Sequence, residues 1–484
     1  MRTLAEWLAL QESVHPKTID MGLARVSSVA RILRVDKPSS RVITVGGTNG
    51  KGSTVAHLDA LLRAAGVSTG MFTSPHFLRY NERIRVGGVE VEDAELIRAF
   101  ERIDAARGST TLTFFEFNAL AALVIFAERR VDVAILEVGL GGRLDAVNLV
   151  DADVAVVCSI GFDHRDYLGD TLELIGAEKA GIFRAGRPAV LSTAEMPDSV
   201  YSAIAGIGAR AVIAGREFSW SVGGAGVGPR PAAGPGVGAA RGVEVNFGVG
   251  GGAAGAADEA AVVGGARWSY RGLRVSLDNL PPSALSGSIQ YRNASAALAA
   301  IESLDGGYTL SEQTVSRALR DVRLAGRFQV VPGPVEWILD IAHNEPAARV
   351  FAQHVRERPM PALSGGGQDV RGGVRAVRDR SVGAGRGRTV AVVGILADKD
   401  APEIAAALAP LVDDWVLCTL PGARGSTASD LAARLGLPPE RVTFANSVVE
   451  GCEAARAATV PGDRVIVFGS VYTVGPALRW LRVY

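Results

Sequence analysis

Short apolar runs rich in β-branched residues recur along the N-terminal part of the chain, separated by stretches with helical spacing. The runs are RVITVGG (41–47), VDVAILEVG (131–139), DVAVVCSIG (153–161) and RPAVLST (187–193). They are apolar at consecutive positions rather than alternating, so each predicts a strand buried on both faces. Amphipathic stretches between them, such as 54–65 and 116–129, predict helices that cover a mostly parallel sheet. A second series begins after residue 328, with VEWILDIA (335–342), TVAVVGIL (389–396), WVLCTL (415–420) and RVIVFGS (464–470). Helical patterns at 401–411, 428–435 and 447–458 fill its gaps. The pattern predicts an α/β chain with a larger domain over 1–322, a hinge at 323–327 and a smaller, Rossmann-like α/β domain over 328–484.

Two segments break the pattern. Residues 221–265 are dominated by Gly, Ala and Val, and 362–388 by Gly and Arg. Neither supplies the large side chains that offset the entropy of ordering a backbone, so both are expected to be surface insertions or loops. No repeat of fixed period stands out.

Composition narrows the function classes. At 484 residues and 48% hydrophobic, the chain can bury more than one core, at about 150 residues per domain. Its formal net charge is zero, which gives no general attraction to nucleic acid or to a membrane surface. The start, MRTLAEWLALQ, lacks a basic leader with an apolar core, and the reading is of a cytoplasmic protein. Three isolated cysteines, Cys158, Cys418 and Cys452, fit a reducing compartment and form no CxxC metal motif. Only five lysines occur, Lys17, Lys37, Lys51, Lys179 and Lys399, so each is worth inspecting.

The strongest chemical motif is Gly46-Gly47-Thr48-Asn49-Gly50-Lys51-Gly52-Ser53-Thr54, directly after one predicted strand and before a predicted helix. Glycines let backbone N–H groups wrap phosphate oxygens, the helix N-terminus favours negative charge, and Lys51 can reach terminal phosphates. Gly52 separates Lys51 from the hydroxyl residue, a departure from G-x-x-x-x-G-K-[ST] that shifts the magnesium role of that hydroxyl toward Ser53. Glu137 ends an apolar strand, where parallel sheets bind ligands, and its carboxylate suits magnesium; capping a neighbouring helix is the alternative. Asp163, His164 and Asp166 follow another strand, with His164 either a ligand or a structural imidazole. Lys179 precedes a glycine in EKAGIFR. Farther on, Asp340, His343 and Asn344 follow the run VEWIL, and Arg327 lies beside the hinge, placed to reach phosphate across a cleft.

Together TVGGTNGKGST, TSPHFLRYNERIRV, TFFEFNALAAL, ILEVGLGGRLDAVN, SIGFDHRDYLG, EKAGIFR, AGRF, LDIAHN and VFGSVYTVG closely resemble the dihydrofolate synthase and folylpolyglutamate synthase family, a branch of the Mur ligase superfamily. The likeness runs from about Trp7 to the C-terminus, outside the two Gly-rich segments. It implies an ATP- and magnesium-dependent ligase that activates a carboxylate as an acyl phosphate and joins it to L-glutamate, with dihydropteroate and reduced folates as acceptors. The resemblance places ATP on Thr48, Asn49, Gly50, Lys51, Gly52, Ser53, Asn293, Arg327 and Asp340, and magnesium on Ser74, Glu137 and His164. It places the pterin on Asp20, Met21, Gly22 and Leu23, on Thr113, Phe114, Phe115 and Glu116, and on Leu144, Asp145 and Ala146.

The likeness also implies glutamate binding or activity at His343 and Ser470, a carbamylated Lys179, catalytic roles for Lys51, Lys179 and His343, and a monomer. Two departures stand out. Glu345 intervenes before Pro346 where the family reads AHNP, and the YRNAS context of Asn293 is read as replacing QxxNA. Rival readings are a polyglutamate synthase alone, a cell-wall Mur ligase, which would lack TFFEF, and a nucleotide switch of the P-loop type.

Overall fold

The protein is described here by a computed structural model, which covers residues 2–223, 266–308, 310–361, 387–422 and 424–484. Its larger sheet has eight strands in the order Val89–Glu90, Ile84–Val86, Thr69–Phe72, Val133–Glu137, Arg41–Gly46, Val154–Val157, Pro188–Leu191, Arg210–Ile213. The last six strands of that order run parallel, and the first two are antiparallel at one edge. The runs apolar at consecutive positions are the central strands, and they are buried along nearly their whole length. Their side chains feed two cores, one on each face. One packs the sheet against helices that include Phe114–Arg129. The other packs it against Lys51–Ala64 and Ile289–Ser303.

The central strand Arg41–Gly46 is flanked by Val133–Glu137 on one side and Val154–Val157 on the other. Connections leave toward one edge and return toward the other, so a crevice opens at the carboxyl end of this strand. The glycine loop lies there.

A three-stranded antiparallel sheet, Ser276–Leu280, Trp268–Arg271 and Ser219–Val222, adds to the second face. Ser221 and Val222, expected in an irregular insertion, are therefore strand; Trp268 pairs with Val222, and the sheet begins before the Gly-rich composition does. Residues 224–265 and 362–386 lie outside the described residues.

A six-stranded sheet follows in the order Gln329–Val331, Glu336–Asp340, Arg464–Phe468, Thr389–Val393, Asp414–Cys418, Val442–Ala445. It is parallel except for its first strand. Glu336 and Arg464 are register partners, and they form a buried ion pair at 2.8 Å. The segment between the two sheets has left-handed backbone at Gly326 (φ 60°) and Phe328 (φ 43°), so the chain turns sharply there. Among the described residues no helix is long and apolar enough to cross a membrane.

Candidate functional site

The glycine loop is held open by its backbone. Gly47 (φ 133°) and Gly50 (φ 91°) take conformations that L side chains rarely adopt, and a Cβ on Gly47 would stand 3.0 Å from the Cys158 nitrogen. Hydrogen bonds from Thr48 N to Ser159 O (2.7 Å) and Asn49 N to Ser159 Oγ (3.1 Å) tie the loop to the neighbouring strand end. Helix Lys51–Ala64 then starts with its N–H groups facing the crevice. Lys51 Nζ folds back onto the loop, donating to Gly47 O (3.0 Å) and Thr48 O (3.1 Å).

A cavity of about 350 Å³ opens over this loop, lined from both sides by residues 47–53, Ser74, Glu137, His164, Lys179, Asn293, Arg327, Asp340 and His343. Asn293 Oδ1 is buried there with no hydrogen-bond partner among the described residues, while Asn293 Nδ2 donates to Gln290 Oε1 at 3.0 Å. An orphaned acceptor beside a glycine cradle fits a nucleotide that brings donors and phosphates together. Gln290 also corrects the reading of YRNAS: it stands three positions before Asn293, so QxxNA is present.

The extra glycine of the loop acquires a local meaning. A Cβ on Gly52 would lie 3.5 Å from Arg327 Nη2 and 3.7 Å from Glu137 Oε1, so the helix start sits between a cation of one wall and an acid of the other. Burial raises the pKa of Glu137, against the charge of Lys51 and a hydrogen bond from Ser74 N (3.1 Å). Burial likewise lowers that of Arg327, against Asp340 and Glu137.

His164 sits in left-handed backbone (φ 51°), and burial pushes its pKa down to about 4, leaving a neutral imidazole with a free lone pair. A carboxylate, a hydroxyl and a neutral imidazole suit a divalent cation. Among the described residues no three His, Cys, Asp or Glu side chains form a preformed cage. Magnesium itself takes few protein ligands and completes its shell with water and phosphate. Lys179 is buried and donates to the same Gly47 carbonyl at 3.1 Å. Burial first, then the charge of Lys51, lowers its pKa to about 7.

Asp163 joins the two walls. It accepts from Lys399 Nζ at 2.6 Å and from Asn344 Nδ2 at 3.0 Å, and lies 3.5 Å from His343 Nε2. Burial would raise its pKa, but the hydrogen bond from His343 and the charges of His343, His164 and Lys399 hold the carboxyl well below the usual range. Asn344 also exchanges hydrogen bonds with Asn49 of the loop, at 3.0 and 3.2 Å. Glu345 and Pro346 follow as the first two residues of helix Glu345–Glu357, capped by Asn344, so the intervening Glu345 leaves a regular helix start. Asp340 accepts from Phe328 N (2.7 Å) and Ala342 N (2.8 Å), which fastens the turn to the second sheet in addition to any ligand it meets.

The three segments assigned to the pterin come together beside the cavity. Arg25 bridges Asp20 (2.7 Å) and Glu116 (3.3 Å). Thr113 and Glu116 cap helix Phe114–Arg129 reciprocally. Positions where a Cβ would lie against Met21 (Gly141) and Phe115 (Gly139) connect these segments to the run leading to Leu144. Burial pushes the Asp145 carboxyl up to about 6, although Leu140 N and Val147 N donate to it.

Most positions expected at the nucleotide and metal therefore share one cavity. Ser470 does not line it; its Oγ caps helix Val471–Leu481 by accepting from Tyr472 N (3.2 Å). Lys399 and the bridging task of Asp163 were missed. The rarity of lysine was the one signal available for Lys399, since nothing in GILADKD shows which acid it meets.

A glycine-loop domain joined by a sharp turn to a second α/β domain that closes on it defines a Mur-type ligase. The family model for the Mur ligase middle domain matches residues 45–199, and that for the Mur ligase glutamate ligase domain matches 368–471. The dihydrofolate synthase/folylpolyglutamate synthase of Escherichia coli K12 is 38% identical over 98% of this chain and 95% of its own. The structure of E. coli FolC in complex with DHPP and ADP superposes with a TM-score of 0.81 at 37% identity, over 99% of this chain and 98% of that one. The bifunctional folylpolyglutamate synthase/dihydrofolate synthase of Yersinia pestis, complexed with AMPPNP and a manganese ion, gives 0.79 at 35%, over 100% and 98%. The chain belongs to the dihydrofolate synthase/folylpolyglutamate synthase family.

Asp163→Ala leaves Lys399 with a buried, uncompensated charge, a loss of about 3–5 kcal/mol for breaking such a pair. The expected outcome is a more open ligand-free molecule, seen as a larger radius of gyration in small-angle scattering; an unchanged curve would show that this contact does not hold the domains together.

Proposed function

We propose that this chain, a cytoplasmic monomer, uses ATP to join L-glutamate to dihydropteroate, and to the γ-carboxylate of reduced folates, through an acyl phosphate. The observation that carries this reading is the single cavity with the phosphate loop and Glu137 on one wall and Arg327, Asp340 and His343 on the other. Residues 1–322 supply the nucleotide and pterin sites, 323–327 the hinge and 328–484 the glutamate side. Thr48, Asn49, Gly50, Lys51, Gly52 and Ser53 hold the phosphates, and Asn293, Arg327 and Asp340 the rest of the nucleotide. Ser74, Glu137 and His164 would hold magnesium, which when bound offsets charge on the phosphate oxygens. Asp20–Leu23, Thr113–Glu116 and Leu144–Ala146 seat the pterin, and His343 and Ser470 serve glutamate.

An oxygen of the acceptor carboxylate attacks the terminal phosphorus of ATP as the bond to the bridging oxygen breaks, leaving ADP and a mixed anhydride. Lys51 exchanges its loop carbonyls for phosphate oxygens, and with Arg327 it stabilises the transferring group. The neutral amine of glutamate then attacks the acyl carbon, and the tetrahedral adduct expels phosphate as the nitrogen loses its proton. The anhydride hydrolyses in water, so a cleft walled by two domains protects it until the amine arrives. Lys179, with a pKa of about 7, is neutral often enough at neutral pH to add carbon dioxide, which turns it from a cation beside Lys51 into an anion.

Purified protein given ATP, glutamate and either dihydropteroate or a reduced folate is expected to yield both glutamylated products by mass. Product from the folate alone would reduce the activity to polyglutamylation. Lys51→Ala is expected to lower kcat by about 10²–10³-fold or more with an unchanged circular dichroism spectrum, and near wild-type turnover would remove the loop from the chemistry. Glu137→Gln should raise the magnesium concentration for half-maximal rate about tenfold or more; an identical titration excludes Glu137 as a ligand. Intact-mass and peptide measurements in bicarbonate should find carbon dioxide on Lys179, and its absence there withdraws the carbamate.

A further inference from the structure

Among the described residues, no acid pairs directly with the Arg83 guanidinium. It ends the helical turn Tyr80–Arg83 and is only 8% exposed. Its Nε donates to His76 Nδ1 at 2.8 Å, an imidazole nitrogen that accepts and brings no negative charge. Among the described residues neither Nη atom has a hydrogen-bond or ion-pair partner. They are not among the nitrogens sealed in the core without partners, so both remain open to a ligand.

Two acids act on this guanidinium through their charges, and both are engaged elsewhere. Glu82 accepts the backbone N–H groups of Phe77, Leu78 and Arg79 at 2.7, 2.6 and 2.5 Å. Glu137 accepts from Ser74 N and faces the helix start at Gly52. A guanidinium nearly removed from water without a counter-ion is destabilising unless an anion joins it.

Its position indicates where that anion comes from. The guanidinium carbon lies 5.5 Å from the ring centroid of Phe114 and 5.9 Å from that of Tyr80, and the field of Tyr472 also acts on it. The preceding loop abuts the second domain: a Cβ on Gly475 would stand 2.9 Å from Phe77 O, and one on Gly326 would meet both Phe77 and Val474. Arg83 therefore sits where the Phe114 segment, the Glu137 strand end and the start of helix Val471–Leu481 converge.

We propose that Arg83 anchors a substrate carboxylate in this seam, and that the carboxylate is one of the two that glutamate keeps through the reaction. The inference rests on the ligase reading above. Arginine's planar fork matches a carboxylate in bidentate fashion. The sole carboxylate of dihydropteroate must keep its electron density to attack phosphorus, so an ion pair that persists through the reaction suits an oxygen pair that does not react.

The test is steady-state kinetics with dihydropteroate as acceptor, which leaves glutamate as the only source of an unreactive carboxylate. Arg83→Gln is expected to raise KM for glutamate about 10- to 100-fold, the range for one charge-assisted contact, with KM for ATP and dihydropteroate held within about twofold. Arg83→Lys, which keeps the charge and loses the fork, should show a smaller rise in the same constant, and it serves if the Gln variant misfolds. The wild type should prefer glutamate over γ-aminobutyrate, without the α-carboxylate, or over 2-aminobutyrate, without the side-chain carboxylate. Loss of one of those preferences in the variants would identify the oxygen pair held. A rise in KM for dihydropteroate instead would assign Arg83 to the acceptor and overturn the proposal, as would unchanged constants in both variants. Absence of glutamate-dependent product from the wild type would be a failure of the ligase reading, separate from any effect of Arg83.

Discussion

A carboxylate from one domain held by a lysine, an amide and an imidazole from the other is the contact on which the site depends. Asp163 and Lys399 are each about nine-tenths buried, so neither has water to fall back on, and the pair keeps the walls of the cleft in register. Asn344 extends the contact to the glycine loop itself through Asn49. The glycine loop and the residues that face it across the cleft are thus linked by hydrogen bonds in the ligand-free chain.

Around that bridge the cleft is short of negative charge. Lys51 and Lys179 share one backbone carbonyl, Gly47 O, and among the described residues neither Arg327 nor Arg83 has a paired carboxylate. Burial works against the charge of Lys179, Arg327 and Arg83, and anions that enter relieve that cost. Gly52 belongs to the same arrangement, since it sets the start of a helix between Arg327 and Glu137 with no side chain of its own in the way.

The central strands were legible because burial on both faces leaves an unmistakable apolar run, as in VAILE of Val133–Glu137. Short edge strands were not: Ile84–Val86 and Val89–Glu90 are brief and only partly buried, and Ser219–Val222 joins Trp268–Arg271 by pairing across a long separation that no local pattern encodes. The same division applies to the site. Lys51 opens the helix that follows one central strand and Glu137 ends another, each with recognisable neighbours, whereas the partners of Asp163 and the want of a paired acid beside Arg83 among the described residues are facts of three-dimensional assembly. Ser470 shows the limit from the other side, because a serine named for glutamate also has a local task as a helix cap.

The turn at Gly326 to Phe328 carries one more consequence. The ring of Phe328 packs on His354 at 5.2 Å, and His354 in turn accepts from Ser288 and Ile289 of the first domain, so the seam between domains runs along the cavity over the glycine loop. A nucleotide seated there is a strut as well as a reactant. Its binding free energy is shared between phosphate capture and cohesion of the two halves, and thermodynamic linkage makes the integrity of the whole chain depend on the concentration of free nucleotide around it.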